Sequence, residues 1–386
     1  MERVKVVHII TLLELGGAQQ NTLFTAEHLD REKYEVALIC GAGALLDEEA
    51  KKIRDLKIHF VPEMIRAIHP LRDFFCLIRL ARILKKENPQ IVHTHSSKAG
   101  ILGRVAARLV GVPIIIHSIH GFGFNPYQKF FVRWLFVWIE RWVAKITTCL
   151  IAVSQQNILD GRQLKVGKQE QYLLIRSGVD IAKIRETFRG TDPHEIRTAL
   201  NIPDNAKIVL NISSFKTQKN PIAFIRLARK IVPFVPNVVF LLVGDGELRF
   251  EIEQEIKSSG LSERVKLLGW RRDVPKILSA TDVFVLTSLW EGLPRAAVEA
   301  LICSRPVVAF AVDGLKDIVH DGKNGYLINP NSLDEMSEKL ILVLRDNELL
   351  RRLSDQAGKT IDNTFDILKM VQEQELLYKK LLRNLG

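Results

Sequence analysis

Four cysteines in 386 residues, Cys40, Cys76, Cys149 and Cys303, are too few and too scattered for a disulfide framework or a metal-ligand set. They read as reduced core side chains of a cytosolic protein. Long apolar runs are also missing, and none reaches the roughly 20 residues of a membrane-spanning helix. The chain enters its first strand without the apolar core of a signal peptide, so a cytoplasmic location is expected. Internal repeats, a proline-rich linker and low-complexity tracts are absent, which excludes solenoids and leaves little room for disorder. No Gly-x-Gly-x-x-Gly follows the first strand, which counts against a nicotinamide enzyme. No zinc-ligand set or RNA-binding aromatic signature appears, so nucleic acid is not an expected partner.

What is there suits two domains of ordinary size, and an apolar content of 47% is enough for two cores. The net charge of +11 is unevenly placed: residues 51 to 150 carry 17 Lys and Arg against 5 Asp and Glu. A basic surface so local implies a polyanionic partner, either an anionic membrane face or a phosphate-bearing substrate.

Short apolar runs alternate with helical patterns throughout, which argues for parallel sheets wrapped by helices. Strands are expected at 4–10, 34–40, 58–61, 91–93, 114–117, 149–153 and 172–175. After a break they resume at 208–212, 238–243, 265–268, 283–286, 307–310 and 326–328. Helices are expected at 19–29, 71–86, 98–109, 128–144 and 367–385. Periodicity fades between Asp180 and Ala206, and the domain boundary is placed there.

One stretch organises the second half. The strand Asp282-Val283-Phe284-Val285-Leu286 leads into Thr287-Ser288-Leu289-Trp290-Glu291-Gly292-Leu293-Pro294, and an Ala-rich helix follows with Pro294 expected at its first position. A turn at the carboxyl end of a parallel strand, opening a helix, is where open α/β sheets bind anions and nucleotides. Glu291 in the turn and Glu299 on the helix can face one crevice and hold two parts of an extended ligand.

Glu-Gly-Leu-Pro followed by Glu-Ala, two glutamates separated by seven residues, resembles the signature of retaining GT-B glycosyltransferases of the GT4 group. The resemblance covers nearly the whole chain. It implies an α/β fold of two Rossmann-like parallel-sheet domains facing across a cleft, with the C-terminal helix crossing back to the N-terminal domain. The expected division is an acceptor-binding domain at 1–190, a nucleotide-sugar domain at 191–365 and the returning helix at 366–386. In that family the first Glu contacts donor-sugar hydroxyls and the second the ribose, roles that fall on Glu291 and Glu299. Backbone amides of the turn, at Gly292 and Leu293, hold the diphosphate.

Other segments fit the same pattern. Leu15-Gly16-Gly17-Ala18 resembles the family's N-terminal glycine loop, whose amides at Gly16 and Gly17 face the diphosphate and the acceptor. His93-Thr94-His95 resembles its His-x-His loop and reads as a polar lining of the cleft; no third ligand at an informative spacing supports a metal. His120-Gly121 matches the His-Gly position at which the His approaches the donor sugar. Where the family usually has Gly-Arg, this chain has Ser213-Ser214, while Lys219 matches the family's diphosphate lysine. Lys216 either supplies the missing charge or is a solvated surface lysine, and a Lys lacks the bidentate fork of an Arg. Val243-Gly244-Asp245-Gly246 resembles a structural turn beside the cleft, and Gly269-Trp270-Arg271 the loop that holds the base, with Arg271 against it. A frequent Gly-Gly-x-x-Glu is here Asp313-Gly314-Leu315-Lys316-Asp317.

The helix Phe130 to Trp142 mixes aromatics with arginines. It reads either as core-facing or as a membrane-surface helix suited to a lipid-carried acceptor at the inner face of the membrane.

The reading as a whole is a retaining glycosyltransferase moving a sugar from a nucleotide diphosphate donor to a carbohydrate or lipid-linked saccharide acceptor in surface polysaccharide synthesis. Glu291, His120 and Lys219 are its catalytic candidates. No cofactor or metal is expected, because Lys219 and helix-end amides supply positive charge to the departing diphosphate. A sugar-nucleotide epimerase of the same fold and an inactive binding subunit are the alternatives.

Overall fold

A computed structural model of the chain describes residues 3–384. Met1, Glu2, Leu385 and Gly386 lie outside the described residues, and with them the expected last residue of the C-terminal helix. The chain forms two compact units, one of residues 1–178 with 367–386 and the other of residues 179–366.

The first unit is a seven-stranded sheet in the order β3-β2-β1-β4-β5-β6-β7, all neighbours parallel. Its strands are β1 (Val4–Ile9), β2 (Tyr34–Cys40), β3 (Leu56–Phe60), β4 (Ile91–His95), β5 (Ile114–Ile119), β6 (Cys149–Ala152) and β7 (Tyr172–Leu174). The central strands read as apolar runs because helices cover both faces of the sheet. Val7, Ile9, Val92 and Ile115 pack with Leu80, Leu84, Ala99 and Ala106 on one face. Val6, Ile91, Ile116 and Ile151 pack on the other with Ile367, Met370, Val371 and Tyr378 of the C-terminal helix Ile367–Arg383. That helix therefore completes the core of the first unit.

The second unit has six parallel strands in the order β10-β9-β8-β11-β12-β13. They are β8 (Lys207–Ile212), β9 (Val238–Val243), β10 (Val265–Gly269), β11 (Val283–Leu286), β12 (Val307–Phe310) and β13 (Gly325–Ile328). Strands β9, β11 and β12 are buried along their whole length. In both units the order reverses beside the first strand, between β1 and β4 and between β8 and β11. Open α/β sheets bind ligands at the carboxyl ends of strands at such a point.

Three expectations need correction. Residues 180–206 are not aperiodic: they hold the helices Ile181–Arg189 and Pro193–Ala199, short elements capped by Asp180 and Asp192. The division between units falls at Gly178 and Val179, where the expected boundary was 190. Pro294 caps the helix Arg295–Ile302 and is not its first residue.

The helix Phe130–Ala144 also differs from its core-facing reading. Only Val137, Glu140, Val143 and Ala144 are buried, while Phe130 and Phe131 are 73% and 80% exposed and Trp134, Leu135, Trp138 and Trp142 are exposed as well. A buried ion pair sets this orientation: Arg104 Nη2 donates to Glu140 Oε2 at 2.8 Å, and Arg104 Nε donates to the Gly100 carbonyl at 2.7 Å. Neither charge can turn to solvent, so Glu140 must face inward and the aromatics opposite it face out. Among the described residues no helix is long and apolar enough to cross a membrane.

Candidate active site

In the second unit the loops after β8 and β11 meet at the switch point. Leu289 N–H donates to the Gln218 carbonyl at 2.8 Å, Gln218 Nε2 donates to the Trp290 carbonyl at 2.9 Å, and Thr287 Oγ1 donates to the Asn220 carbonyl at 2.9 Å. Asn220 takes φ +48°, a conformation its short polar side chain tolerates, and its turn leads into the helix Pro221–Ile231.

This stitching brings Lys219 onto Glu291. The ammonium donates to both carboxylate oxygens, at 2.6 and 2.7 Å. Glu291 is buried and Lys219 is 22% exposed, so the pair has one open side. An unpaired carboxylate so deeply buried would be costly, and Lys219 removes that cost. Gly292 and Leu293 continue the same buried turn. Lys216 stands in the β8 loop, its carbonyl accepting from the Lys219 N–H at 2.9 Å.

A third loop clamps the turn. Asp313, after β12, accepts from the Glu291 N–H at 2.5 Å, and the Gly314 N–H donates to the Gly292 carbonyl at 3.0 Å. A Cβ on Gly314 would sit 2.1 Å from that carbonyl oxygen, so only glycine allows the approach. Gly244 has a similar part behind the β8 loop, where φ is +133° and a Cβ would lie 1.9 Å from the Ser213 carbonyl oxygen.

Glu299 lies on the helix Arg295–Ile302, with its carboxylate 3.9 Å from Arg295 Nη2. Burial pushes the Glu299 carboxyl above its ordinary value, opposed by the Arg295 charge, and pushes the Arg295 guanidinium below its own. Arg271 is held elsewhere, in a bidentate pair with Asp273 at 2.8 and 2.6 Å.

In the first unit Gly16 caps the helix Gly17–His28 with extended backbone and no side-chain cap. His93 and His95 do not form a loop. They lie in β4 and are buried, and only His95 lines the opening that leads to His120. His93 Nδ1 is 2.6 Å from the Tyr378 hydroxyl and its Nε2 2.8 Å from Ser118 Oγ. His8 Nδ1 is 3.1 Å from His95 Nε2, and His95 Nδ1 is 3.2 Å from His120 Nε2. His8, His93 and His95 are the one group of metal-type side chains this close together among the described residues. Apart from His8 Nε2, their nitrogens are engaged with one another, with His120, with Tyr378 and with Ser118, so an ion held by His93 and His95 would have to break those hydrogen bonds. His120 is half-buried and lines a small opening at the strand ends with Asn21, His95, Ser118 and Gln374.

Comparison with known proteins decides the class. Residues 192–360 match the family described as glycosyl transferases group 1, and residues 15–183 match glycosyltransferase family 4. The chain is 36% identical to UDP-Gal:alpha-D-GlcNAc-diphosphoundecaprenol alpha-1,3-galactosyltransferase of Escherichia coli, over 99% of this chain and 98% of that protein. The chain belongs to the group 1 glycosyltransferases. It is 25% identical to N-acetyl-alpha-D-glucosaminyl L-malate synthase of Bacillus anthracis, over 82% of this chain and 81% of that one. Among solved structures, Anabaena HepE in complex with UDP and glucose superposes with TM-score 0.82 at 20% identity, covering 98% of this chain and 100% of that one. Sucrose-phosphate synthase from Thermosynechococcus elongatus gives 0.83 at 20% identity, covering 99% and 100%. The two parallel-sheet units are those of the GT-B fold.

Sequence reasoning passed over four residues of this glycosyltransferase. Asp313 stood where the family often has glycine and was treated as a departure. Gln218 looked like an ordinary loop residue. Arg295 was silent beside Glu299. His8 was the strongest missed signal, since a lone imidazole in Val-Val-His-Ile-Ile needs a partner once the strand is buried on both faces.

Two predictions follow from this geometry. Asp313→Ala leaves the Glu291 N–H without its acceptor, and Gly314→Ala displaces the turn; each should cost about 1–3 kcal/mol and slow sugar transfer. Melts and rates equal to wild type in both variants would refute the clamp. The second concerns pH. Burial lowers His8 from its ordinary 6.5 to about 3, so the unfolded chain takes up a proton that the folded chain refuses. Its stabilising contribution is complete above pH 6.5 and is lost as pH falls towards 3, by about 1.4 kcal/mol per pH unit. Thermal melts between pH 7.5 and 4.5 should therefore fall less steeply for His8→Leu than for wild type, and parallel curves would contradict the reading.

Proposed function

We propose that this glycosyltransferase moves galactose from UDP-galactose to a lipid-linked saccharide with retention at the anomeric carbon. The observation that carries the reading is the near-complete coverage, at 36% identity, of a galactosyltransferase whose name specifies UDP-Gal and a GlcNAc-diphosphoundecaprenol. Making the alpha-1,3 linkage in that relative's name from an α-linked nucleotide sugar would preserve configuration, which supports retention.

In this proposal the Lys219–Glu291 pair opens on the donor. Negative charge grows on the leaving diphosphate as the glycosidic bond breaks, and the Lys219 ammonium and the amides of Gly292 and Leu293 would receive it. Glu291 then accepts hydrogen bonds from sugar hydroxyls, which replace the ammonium as partners for its buried oxygens. Glu299 serves the ribose. Charge supplied by Lys219 makes a metal unnecessary in this scheme, so rates should be unchanged by EDTA.

The exposed aromatics of the helix Phe130–Ala144 support a membrane-surface role. Lys129, Arg133, Arg141 and Lys145 accompany them. The helix Pro70–Glu87, which also packs beside the helix Ser97–Leu109, exposes Leu71, Phe74 and Phe75 among further basic residues. Apolar side chains that insert and cations that meet anionic headgroups are what a peripheral membrane face needs. We therefore infer peripheral association with an anionic leaflet, on the side where the lipid-linked acceptor is presented.

The enzymatic test is a donor panel of UDP-galactose, UDP-glucose and UDP-N-acetylglucosamine with a GlcNAc-diphosphate lipid acceptor, and NMR of the product anomer. Transfer of α-galactose is expected, and Lys219→Ala and Glu291→Ala should each lower kcat by about 10²–10³-fold. Near-normal rates in both variants, or a β-linked product, would sink the mechanism. For the surface, flotation with vesicles containing phosphatidylglycerol should retain wild type and lose the triple variant Phe130→Ser, Phe131→Ser, Trp134→Ser. Equal flotation of the two would remove the membrane face from that helix.

A further inference from the structure

The first unit buries four histidines, His8, His93, His95 and His117, with His120 half-buried beside them, and three of the five form a line: His8, His95 and His120. Each link is one nitrogen against another, His8 Nδ1 to His95 Nε2 at 3.1 Å and His95 Nδ1 to His120 Nε2 at 3.2 Å. His8 is fully buried, and its remaining nitrogen, Nε2, has no hydrogen-bond partner. Among the described residues Nδ1 of His120 makes no hydrogen bond, and His120 lines the opening.

Burial holds these rings uncharged at neutral pH: His8 falls to about 3, His120 to about 4, and His95 well below its ordinary value. A neutral imidazole carries one N–H, and each link needs one N–H and one lone pair. Only two proton arrangements meet both conditions. If His95 is protonated at Nδ1, it donates to His120 Nε2 and accepts from His8 Nδ1. His8 Nε2 is then a bare lone pair and His120 carries its proton on Nδ1. If His95 is protonated at Nε2, every proton reverses. His8 must then bury an N–H at Nε2 with nothing to receive it, and His120 keeps a bare Nδ1. A buried N–H without an acceptor is the rarer and costlier kind of orphan, so the first arrangement is favoured.

We propose that His8 and His95 are positioning residues that set the tautomer of His120, so that the ring offers an Nδ1–H donor to the opening of the first unit. The group it would meet is an acceptor oxygen, such as a hydroxyl of the saccharide substrate. That identity rests on the function proposed above, whereas the proton arrangement does not. The choice is made about two imidazole widths away, at the unpartnered nitrogen of His8. Two neighbours hold the geometry. Ser118 Oγ and the Tyr378 hydroxyl fix His93 against the line, its ring 4.3 Å from that of His95.

The test reads the tautomer directly, with no donor or acceptor present. In protein labelled with ¹⁵N-histidine, long-range ¹H–¹⁵N correlation at pH 7.5 separates Nδ1–H from Nε2–H rings, and His120→Gln assigns the His120 signals. Wild type should show His120 protonated at Nδ1. In His8→Leu the far end no longer imposes a direction, and His120 should shift towards the Nε2–H form that free histidine favours. His120 protonated at Nε2 in wild type, or an equal mixture there, overturns the proposal whether or not His8→Leu folds. A folded His8→Leu protein with His120 still wholly in the Nδ1–H form overturns it too. Failure of galactose transfer in the donor panel would leave both spectra as predicted, so the two readings can fail separately.

Discussion

A parallel sheet covered by helices on both faces has no place for polar side chains along its strands, and only the strand ends remain. This constraint shapes both units. Strands β9, β11 and β12 are wholly buried, and polar contacts begin just past their ends, at Thr287 one residue after β11 and at Asp313 three residues after β12. In the first unit the exceptions are His8 in β1, His93, Thr94 and His95 in β4, and His117 and Ser118 in β5. The register pairs His8 with His93, so each imidazole finds another across the ladder. Where the sheet does admit polar groups, it admits them as a set with mutual hydrogen bonds.

The Lys219–Glu291 pair shows the same economy in ionic form. Removing either partner from such a pair leaves an uncompensated charge and typically costs about 3–5 kcal/mol when both are buried. Here Lys219 retains some contact with water, so the penalty is smaller and the pair can open. In the proposed reaction an incoming diphosphate would compete for the ammonium while sugar hydroxyls would compete for the carboxylate. In that proposal the resting interaction orients Glu291 through a group that a nucleotide sugar could replace. Its backbone stays fixed meanwhile, since the hydrogen bond from Glu291 N–H to Asp313 involves no side-chain atom of Glu291.

The alternation of short β-branched runs with helical segments made the strands legible. Every strand expected from the sequence is present within two residues of its expected ends, because fully buried parallel strands leave an unbroken apolar trace. Lys219 and Glu291 were legible as individuals through their turns, but their pairing was not, since 72 residues separate them. The helices Ile181–Arg189 and Pro193–Ala199 were missed because each is under three turns long and is held by packing against the second unit's helices more than by propensity. Asp313 carried no assignment for another reason. Comparison with a family pattern marks a non-glycine as a loss, and only the fold reveals that its carboxylate has a backbone N–H to hold.

The helix Phe130–Ala144 sets the limit on such reading most clearly. Most of its large apolar side chains face away from Glu140, so reading the apolar face as the core face would turn it the wrong way round. Two charged side chains decide the matter instead. Arg104 arrives from the neighbouring helix with no exposure at all and must meet an acid; Glu140 is the one acidic residue on the aromatic helix. Once those two meet, rotation is fixed, and the large aromatics are left outward, an exposed apolar surface of the kind that marks an interaction site. A contact worth little for stability in itself thereby selects which surface the protein presents.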